Sequence, residues 1–261
     1  MKIDHSVAIV TGAAGGIGTA ICKALAARGA RVVAVGRNTA SLEALQLQLS
    51  SHGHSLRIIE GDVRDQAAVN KIVSTVVTEL GTIDILVNNA AIGLFQSVAE
   101  SAVDDMDRVY STNLFGPIYF MQAVIPIMRK QKRGHIVNVS SIIGHHSVHN
   151  QGIYASSKAA LDRVSESVYA EEKESGITVS VIVPDRTATD FIKHVIGPKE
   201  KAVLPGGNLR QLTPEQVADG LVKAIEGDKL LHYSSMKGRI FSLLSRTAPG
   251  VIRHMLRPTK T

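Results

Sequence analysis

Tyr154 and Lys158 stand four residues apart in Tyr154-Ala155-Ser156-Ser157-Lys158. On a helix that spacing brings both side chains to one face. A lysine ammonium beside a phenol favours the phenolate and draws the tyrosine pKa down from about 10. A tyrosine so tuned gives or takes a proton near neutral pH, which is general acid–base chemistry. The pair alone is weak. Five tyrosines and fourteen lysines in 261 residues supply this spacing by chance in roughly one chain of three. Its meaning depends on the elements that position it.

A second constellation lies near the start, in Thr11-Gly12-Ala13-Ala14-Gly15-Gly16-Ile17-Gly18. It joins an apolar run to a helical stretch. Glycines there permit positive φ and a close approach of backbone to ligand. The helix end behind them offers free N–H groups and the positive end of the dipole, a place for phosphate. Gly12, Gly15, Gly16, Ile17 and Gly18 therefore read as the cradle of a dinucleotide pyrophosphate. An acid at the end of the next strand would bind the 2′-hydroxyl of NAD. This chain has Gly36 and then Arg37, with Asn38 beside it. An arginine pairs bidentately with a 2′-phosphate, so NADP is expected over NAD, Asn38 contributing more weakly.

Apolar runs of strand length alternate with amphipathic stretches. Strands are expected at 7–10, 31–35, 56–60, 83–87, 134–139, 177–183 and 230–233. Helices are expected at 17–28, 41–49, 67–80 and 104–130, from Tyr154 to about 174, and from Pro214 to about 226. Such alternation predicts an α/β fold, a doubly wound parallel sheet with helices on both faces. No linker or repeat divides the 261 residues, so one domain is expected. Residues 190–211 break the pattern, with Gly197-Pro198 and Leu204-Pro205-Gly206-Gly207, as a lid or binding loop does.

Apolar content of 44% and charged content of 20% suit a soluble globular chain. The single cysteine, Cys22, excludes an internal disulfide and any multi-cysteine metal site. Neither a signal peptide nor a run of ~18 apolar residues is present, so the cytoplasm is the expected location. The net charge of +6 is uneven: no acid follows Asp228, whereas seven lysines and arginines do. The body is balanced and carries no nucleic-acid motif, so nucleic acid is not an expected partner.

Taken in order, these motifs and several more resemble the short-chain dehydrogenases/reductases over about residues 6–190. Thr11–Gly18 matches the family's glycine motif, Asp62-Val63 its adenine-contacting pair, and Asn88-Asn89-Ala90-Ala91 its Asn-Asn-Ala-Gly. Asn113 falls in the long helix, Ser141 lies thirteen residues before Tyr154, and Tyr154 and Lys158 complete the set. The resemblance implies a single-domain Rossmann fold of about seven strands and a homodimer or homotetramer built through the Asn113 and Tyr154 helices. It implies that Ser141 holds the substrate oxygen and Tyr154 moves the proton. Lys158 would tune Tyr154 and hold the nicotinamide ribose, and Asn113 would anchor a water leading to Lys158. Ser140 is the neighbouring alternative to Ser141, but adjacent strand side chains face opposite ways. Cofactor contacts would also come from Asn89, Ala90, Tyr154, Pro184, Thr187 and Thr189. The chain departs from the family at Ala91, Asp185 and Thr187. Asp185 would turn to solvent, or inward to touch a polar substrate group or weaken cofactor binding.

On the substrate side, His145, His146 and His149 precede Tyr154. No carboxylate or cysteine adjoins them in sequence, so a substrate mouth is expected and no metal. Phe191, Ile192, Val195 and Ile196 would close over an apolar substrate. The basic extension 236–261 would pack on the body or touch an anionic membrane surface weakly. Pro249-Gly250 would break it. The expected activity is NADP(H)-dependent carbonyl–alcohol interconversion, a carbonyl reductase on a lipophilic ketone or 3-oxoacyl-type substrate. The alternatives are an NADP-binding regulatory protein with little turnover and a membrane-associated interaction module.

Overall fold

Alternation explains the sheet. Along Val7-Ala8-Ile9-Val10, Ala8 and Val10 enter one core and Val7 and Ile9 the other, all fully buried. That is a strand covered on both faces. The computed structural model describes residues 1–198 and 211–255, with the backbone alone at 253–255. The strands are β1 (Val7–Thr11), β2 (Arg31–Gly36), β3 (Leu56–Glu60), β4 (Ile85–Asn88), β5 (Gly134–Val139), β6 (Ile177–Val183) and β7 (Leu231–Tyr233). They form one parallel sheet in the order β3-β2-β1-β4-β5-β6-β7. The order reverses between β1 and β4, and the crevice beyond their carboxyl ends is where such sheets bind ligands.

The helices are α1 (Gly16–Ala26), α2 (Thr39–Ser50), α3 (Gln66–Leu80), α4 (Val103–Tyr110), α5 (Gly116–Gln131), α6 (Gly152–Glu171), α7 (Pro214–Glu226), α8 (Met236–Thr247) and α9 (Pro249–Met255). Ile21 and Leu25 of α1, Leu42 of α2 and Leu221 of α7 pack one face of the sheet. Ile72 of α3, Phe120 and Val124 of α5 and Val168 of α6 pack the other. Cys22 lies wholly within the first core, where burial pushes its thiol up to about 12.

Beyond shifts of a residue or two at most element ends, the helix over 104–130 and the start of β4 depart from the sequence expectation. The helix expected over 104–130 is α4 and α5 joined by a π-helical turn, Ser111–Phe115. A π-turn inserts an extra residue into the helix, and such turns gather at functional sites. Here it carries Asn113. Strand β4 begins two residues late, because the Ile83 N–H goes to the Gln131 side chain (3.3 Å) instead of the ladder. The C-terminal extension breaks at Ala248, where Pro249-Gly250 was expected to break it, and forms two helices, since Pro249 has no N–H to continue the first. The Leu204–Gly207 turn sequence and residues 256–261 lie outside the described residues.

Candidate active site

Tyr154 and Lys158 lie in the first two turns of α6, 8% and 2% exposed. A polar ladder docks this helix. Asn88 of β4 donates to Asn138 of β5 (2.8 Å), and Asn138 donates to Ser165 of α6 (2.8 Å). One residue after Asn138, the Val139 carbonyl accepts the Lys158 Nζ at 2.8 Å. Ser141 hydrogen-bonds the Tyr154 phenol. It also caps the short turn Ile142–Gly144. Ser140 is buried, and its hydroxyl has no partner among the described residues. The alternation of faces thus separates the two serines, and Ser141 is the one that meets Tyr154.

Asn113 is fully buried. Its Oδ1 accepts from the Ile92 N–H (2.9 Å), and its Nδ2 donates to the Ile92 carbonyl (2.9 Å) and the Ser157 hydroxyl (3.0 Å). Its side chain therefore ties the π-turn to the segment after β4 and to α6. Lys158 is not among its partners.

The electrostatics correct the spacing argument. Burial pushes the Tyr154 phenol up to about 12, with the Ser141 hydrogen bond pulling the other way. Burial brings Lys158 down to about 8, and the Asp162 carboxylate opposes that fall. Lys158 does not bring the phenol below its ordinary value; for the phenol, desolvation outweighs Ser141. One cause is Phe191, whose ring lies 5.9 Å from that of Tyr154. Phe191 and Val195 are themselves packed on Gly93, where a Cβ would meet them at 2.9–3.2 Å.

At the nucleotide end, Gly12 has φ +61, and a Cβ on it would lie 2.8 Å from the Ala90 Cα. A Cβ on Gly18 would lie 2.2 Å from the Gly12 carbonyl. The loop is thus glycine from necessity. Asn89 donates to the Thr11 and Gly12 carbonyls (3.0 and 3.1 Å), so its side chain braces the loop. Helix α1 starts at Gly16 with Gly15 as its cap; no side chain caps it, and no acid sits in its first turn. Ile17 is half-buried against the core. These features fit a dinucleotide phosphate.

Arg37 is exposed at the end of β2; against the desolvation of Asp62, the Arg64 hydrogen bonds and charge, with a smaller share from the Arg37 charge, hold its carboxyl below the usual range. Two side chains here have partners within the chain. Asn38 spends its side-chain oxygen capping α2, on the Ser41 N–H (2.9 Å). Asp62 is bound by the Arg64 guanidinium, Nη2 to Oδ2 at 2.6 Å. Arg64 was missed by sequence reasoning, and its signal is its place two residues after Asp62. Asp62, Arg64, Asp65, Asp107, Arg108 and Ser111 line an open cleft of about 300 Å³. Val63 is buried against Gly116. The Pro184 carbonyl accepts from the Ile142 N–H (3.0 Å). Thr187 donates to the Asp185 carbonyl (2.8 Å). Thr189 packs on Gly16, where a Cβ would meet its Cγ2 at 2.9 Å.

The histidines do not line an open mouth. His145 Nε2 meets Asp162 Oδ2 at 3.2 Å, and its Nδ1 meets the Ser242 hydroxyl of α8. Ser242 bonds Tyr233 of β7 (2.9 Å) in turn. His146 stacks edge-on against Phe241 of α8 (6.1 Å), and His149 is exposed. No three potential ligands gather for a metal among the described residues. Asp185 turns neither to solvent nor to the glycine loop: its Oδ2 accepts from Ser235, the cap of α8, at 3.0 Å. Asp162 was also missed, though it follows Lys158 by the same four-residue step that links Lys158 to Tyr154. Gln151, one turn before Tyr154, is 1% exposed, and its amide has no partner among the described residues.

The family model described as "short chain dehydrogenase" matches residues 6–199. An uncharacterized oxidoreductase of Staphylococcus epidermidis is 30% identical over 86% of this chain and 92% of its own length. The uncharacterized oxidoreductase YxnA of Bacillus subtilis is 32% identical over 95% of this chain and 70% of its own. Among solved structures, a short-chain dehydrogenase/reductase from Burkholderia phymatum in complex with NAD has a TM-score of 0.89 at 22% identity, all of both chains covered. A metagenomic short-chain oxidoreductase in complex with NADP has a TM-score of 0.75 at 28% identity, over 89% of this chain and 96% of that one.

Proposed function

The chain belongs to the short-chain dehydrogenase family of oxidoreductases, and from that premise we propose an NADP(H)-dependent enzyme that interconverts a carbonyl and an alcohol. In the cell it works as a carbonyl reductase on a lipophilic ketone or 3-oxoacyl-type substrate. The observation that carries this reading is the Ser141–Tyr154–Lys158 cluster, set in one fold with an uncapped, glycine-lined helix end.

Gly12, Gly15, Gly16, Ile17 and Gly18 hold the pyrophosphate, braced by Asn89 and Ala90. Arg37 holds the 2′-phosphate, and the NADP-bound relative at 28% identity supports that choice. Asp62 and Val63 flank the adenine; Pro184, Thr187 and Thr189 close over the nicotinamide end. When bound, the nicotinamide supplies or accepts the hydride. Ser141 positions the substrate oxygen. Tyr154, a neutral phenol at pH 7, donates its proton to that oxygen as the carbonyl is reduced. Lys158, still protonated there, stabilises the phenolate left behind and reaches the ribose hydroxyls. Asn113 keeps α6 and the segment after β4 in register, with a water leading onward to Lys158. The Phe191 and Val195 cover favours a lipophilic substrate. The enzyme is a single-domain cytoplasmic homodimer or homotetramer, with 190–211 as its substrate loop and 236–261 as a C-terminal extension.

Fluorescence titration with NADPH and NADH, followed by turnover on a panel of ketones and 3-oxoacyl thioesters, tests the proposal. NADPH binds the wild-type chain more tightly. Arg37→Glu weakens NADPH by roughly ten- to a hundredfold, the loss of charge-assisted bonds to a phosphate, and spares NADH. Tyr154→Phe lowers turnover by about 10²–10⁴-fold while NADPH still binds. Tighter NADH binding by the wild-type chain would overturn the NADP assignment. NADPH binding without turnover on any compound would overturn the reductase.

A further inference from the structure

Helix α8 leaves three of its five large apolar residues outward, with Phe241 and Leu244 half-buried. Its buried residues are Gly238, Ser242 and Ser245. Its large apolar residues Met236, Ile240 and Leu243 are 67%, 52% and 60% exposed, and Val251 of α9 follows at 53%. A core-packing helix does the reverse. At 3.6 residues per turn, Met236, Ile240 and Leu243 form one stripe opposite the serines. Arg239 and Arg246 flank that stripe on one side and Lys237 on the other, all exposed. No acid occurs anywhere after Asp228 to answer these charges from within the segment.

The inward face is committed: Ser242 to His145 and Tyr233, Ser235 to Asp185. The helix is thus held to the body by these polar bonds and by Phe241 against His146, and the stripe of Met236, Ile240 and Leu243 is left for something outside. A two-fold contact with a second copy would set the same cations against each other with no carboxylate in the segment between them. An anionic bilayer interface answers both features. Acyl chains take the apolar stripe, and lipid headgroups take the flanking cations. No helix among the described residues is long and apolar enough to cross a membrane, so the contact lies in the interfacial plane.

We propose that the outer face of α8, continued by Val251, is a docking surface for an anionic lipid bilayer. The proposal is independent of the oxidoreductase reading, since its test measures no turnover.

The test is co-sedimentation of the full chain with vesicles of phosphatidylcholine alone or mixed with phosphatidylglycerol. The bound fraction is expected to be about tenfold higher on the mixed vesicles. Raising the salt to about 1 M, where the screening length falls from ~10 Å to ~3 Å, should remove most of that gain. Both I240E/L243E and K237E/R239E/R246E should lower binding about tenfold while circular dichroism stays unchanged. Should either variant lose its fold, the other and the wild-type salt series decide. Equal binding to both vesicle types overturns the proposal, as does binding that I240E/L243E leaves intact. Failure of the wild-type chain to bind also overturns it. If I240E/L243E then splits an oligomer seen by light scattering, the face belongs to a second copy.

Discussion

Tyr154, Lys158 and Asp162 follow one another at four-residue steps along α6, and each alters what its neighbour can do. The first step was legible in the sequence because helical spacing alone brings a phenol and an ammonium to one face. Their protonation was not legible, because it depends on burial by Phe191 and on the Val139 carbonyl, which the fold delivers from far away in sequence. With Lys158 down at about 8 and Tyr154 up at about 12, a neutral phenol and a charged lysine coexist at neutral pH. For the proposed carbonyl reduction, kcat/KM reports the free enzyme and should fall as pH rises through about 8, when Lys158 loses its proton. Asp162 raises that pKa, so removing its charge moves the alkaline limb to lower pH. Asp162→Asn should show this shift in the pH profile with the plateau rate largely kept. A limb that stays in place while only KM or stability changes would mean Asp162 serves packing alone. Asn38 and Asp62 show the same boundary of legibility. Their positions were evident, but the claims of Ser41 and Arg64 on their oxygens were not.

At the scale of elements, β5 and β6 run between the residues expected of them, because a strand buried on both faces is a largely apolar run; β3 keeps its expected bounds at the sheet edge, with Arg57 and Glu60 exposed. The π-turn was hidden, since its cause is a side chain, Asn113, bonding to the backbone of another segment. The edge of the sheet carries a further consequence. His135 of β5 is buried against the Ser180 hydroxyl of β6 (2.9 Å), which itself donates to the Lys229 carbonyl before β7 (2.9 Å). Burial, with the N-terminal ammonium and His232 adding to it, brings His135 down to about 3 from 6.5. The unfolded chain therefore takes up the proton first. Stability should be full above about 6.5 and fall as pH drops towards 3, by up to about 1.4 kcal/mol per pH unit in that window. Urea unfolding across that range should show the slope, and His135→Gln should flatten it. An unchanged slope in the variant would trace the acid sensitivity to other groups.

Over the whole molecule, two devices stand apart. The parallel sheet and its crevice were readable from alternation and glycine placement, and they belong to the family at large. The C-terminal helices were visible as a basic apolar segment, but not the fact that Gly238, Ser242 and Ser245 of α8 face inward while Met236, Ile240 and Leu243 face out. The polar bonds from His145, Tyr233 and Asp185, with the His146 ring against Phe241, fix the orientation of α8. Cys22 adds a different kind of consequence. It is the only thiol in the chain, completely enclosed in the helix behind the phosphate loop, with a pKa near 12. Each molecule thus carries one clock that starts when α1 lifts from the sheet. Under native conditions a thiol-specific dye should react only through that opening. A dinucleotide seated on the loop should slow the reaction by the factor 1 + [L]/Kd. Labelling that kept its pace as NADPH was added would place the opening elsewhere than the nucleotide half.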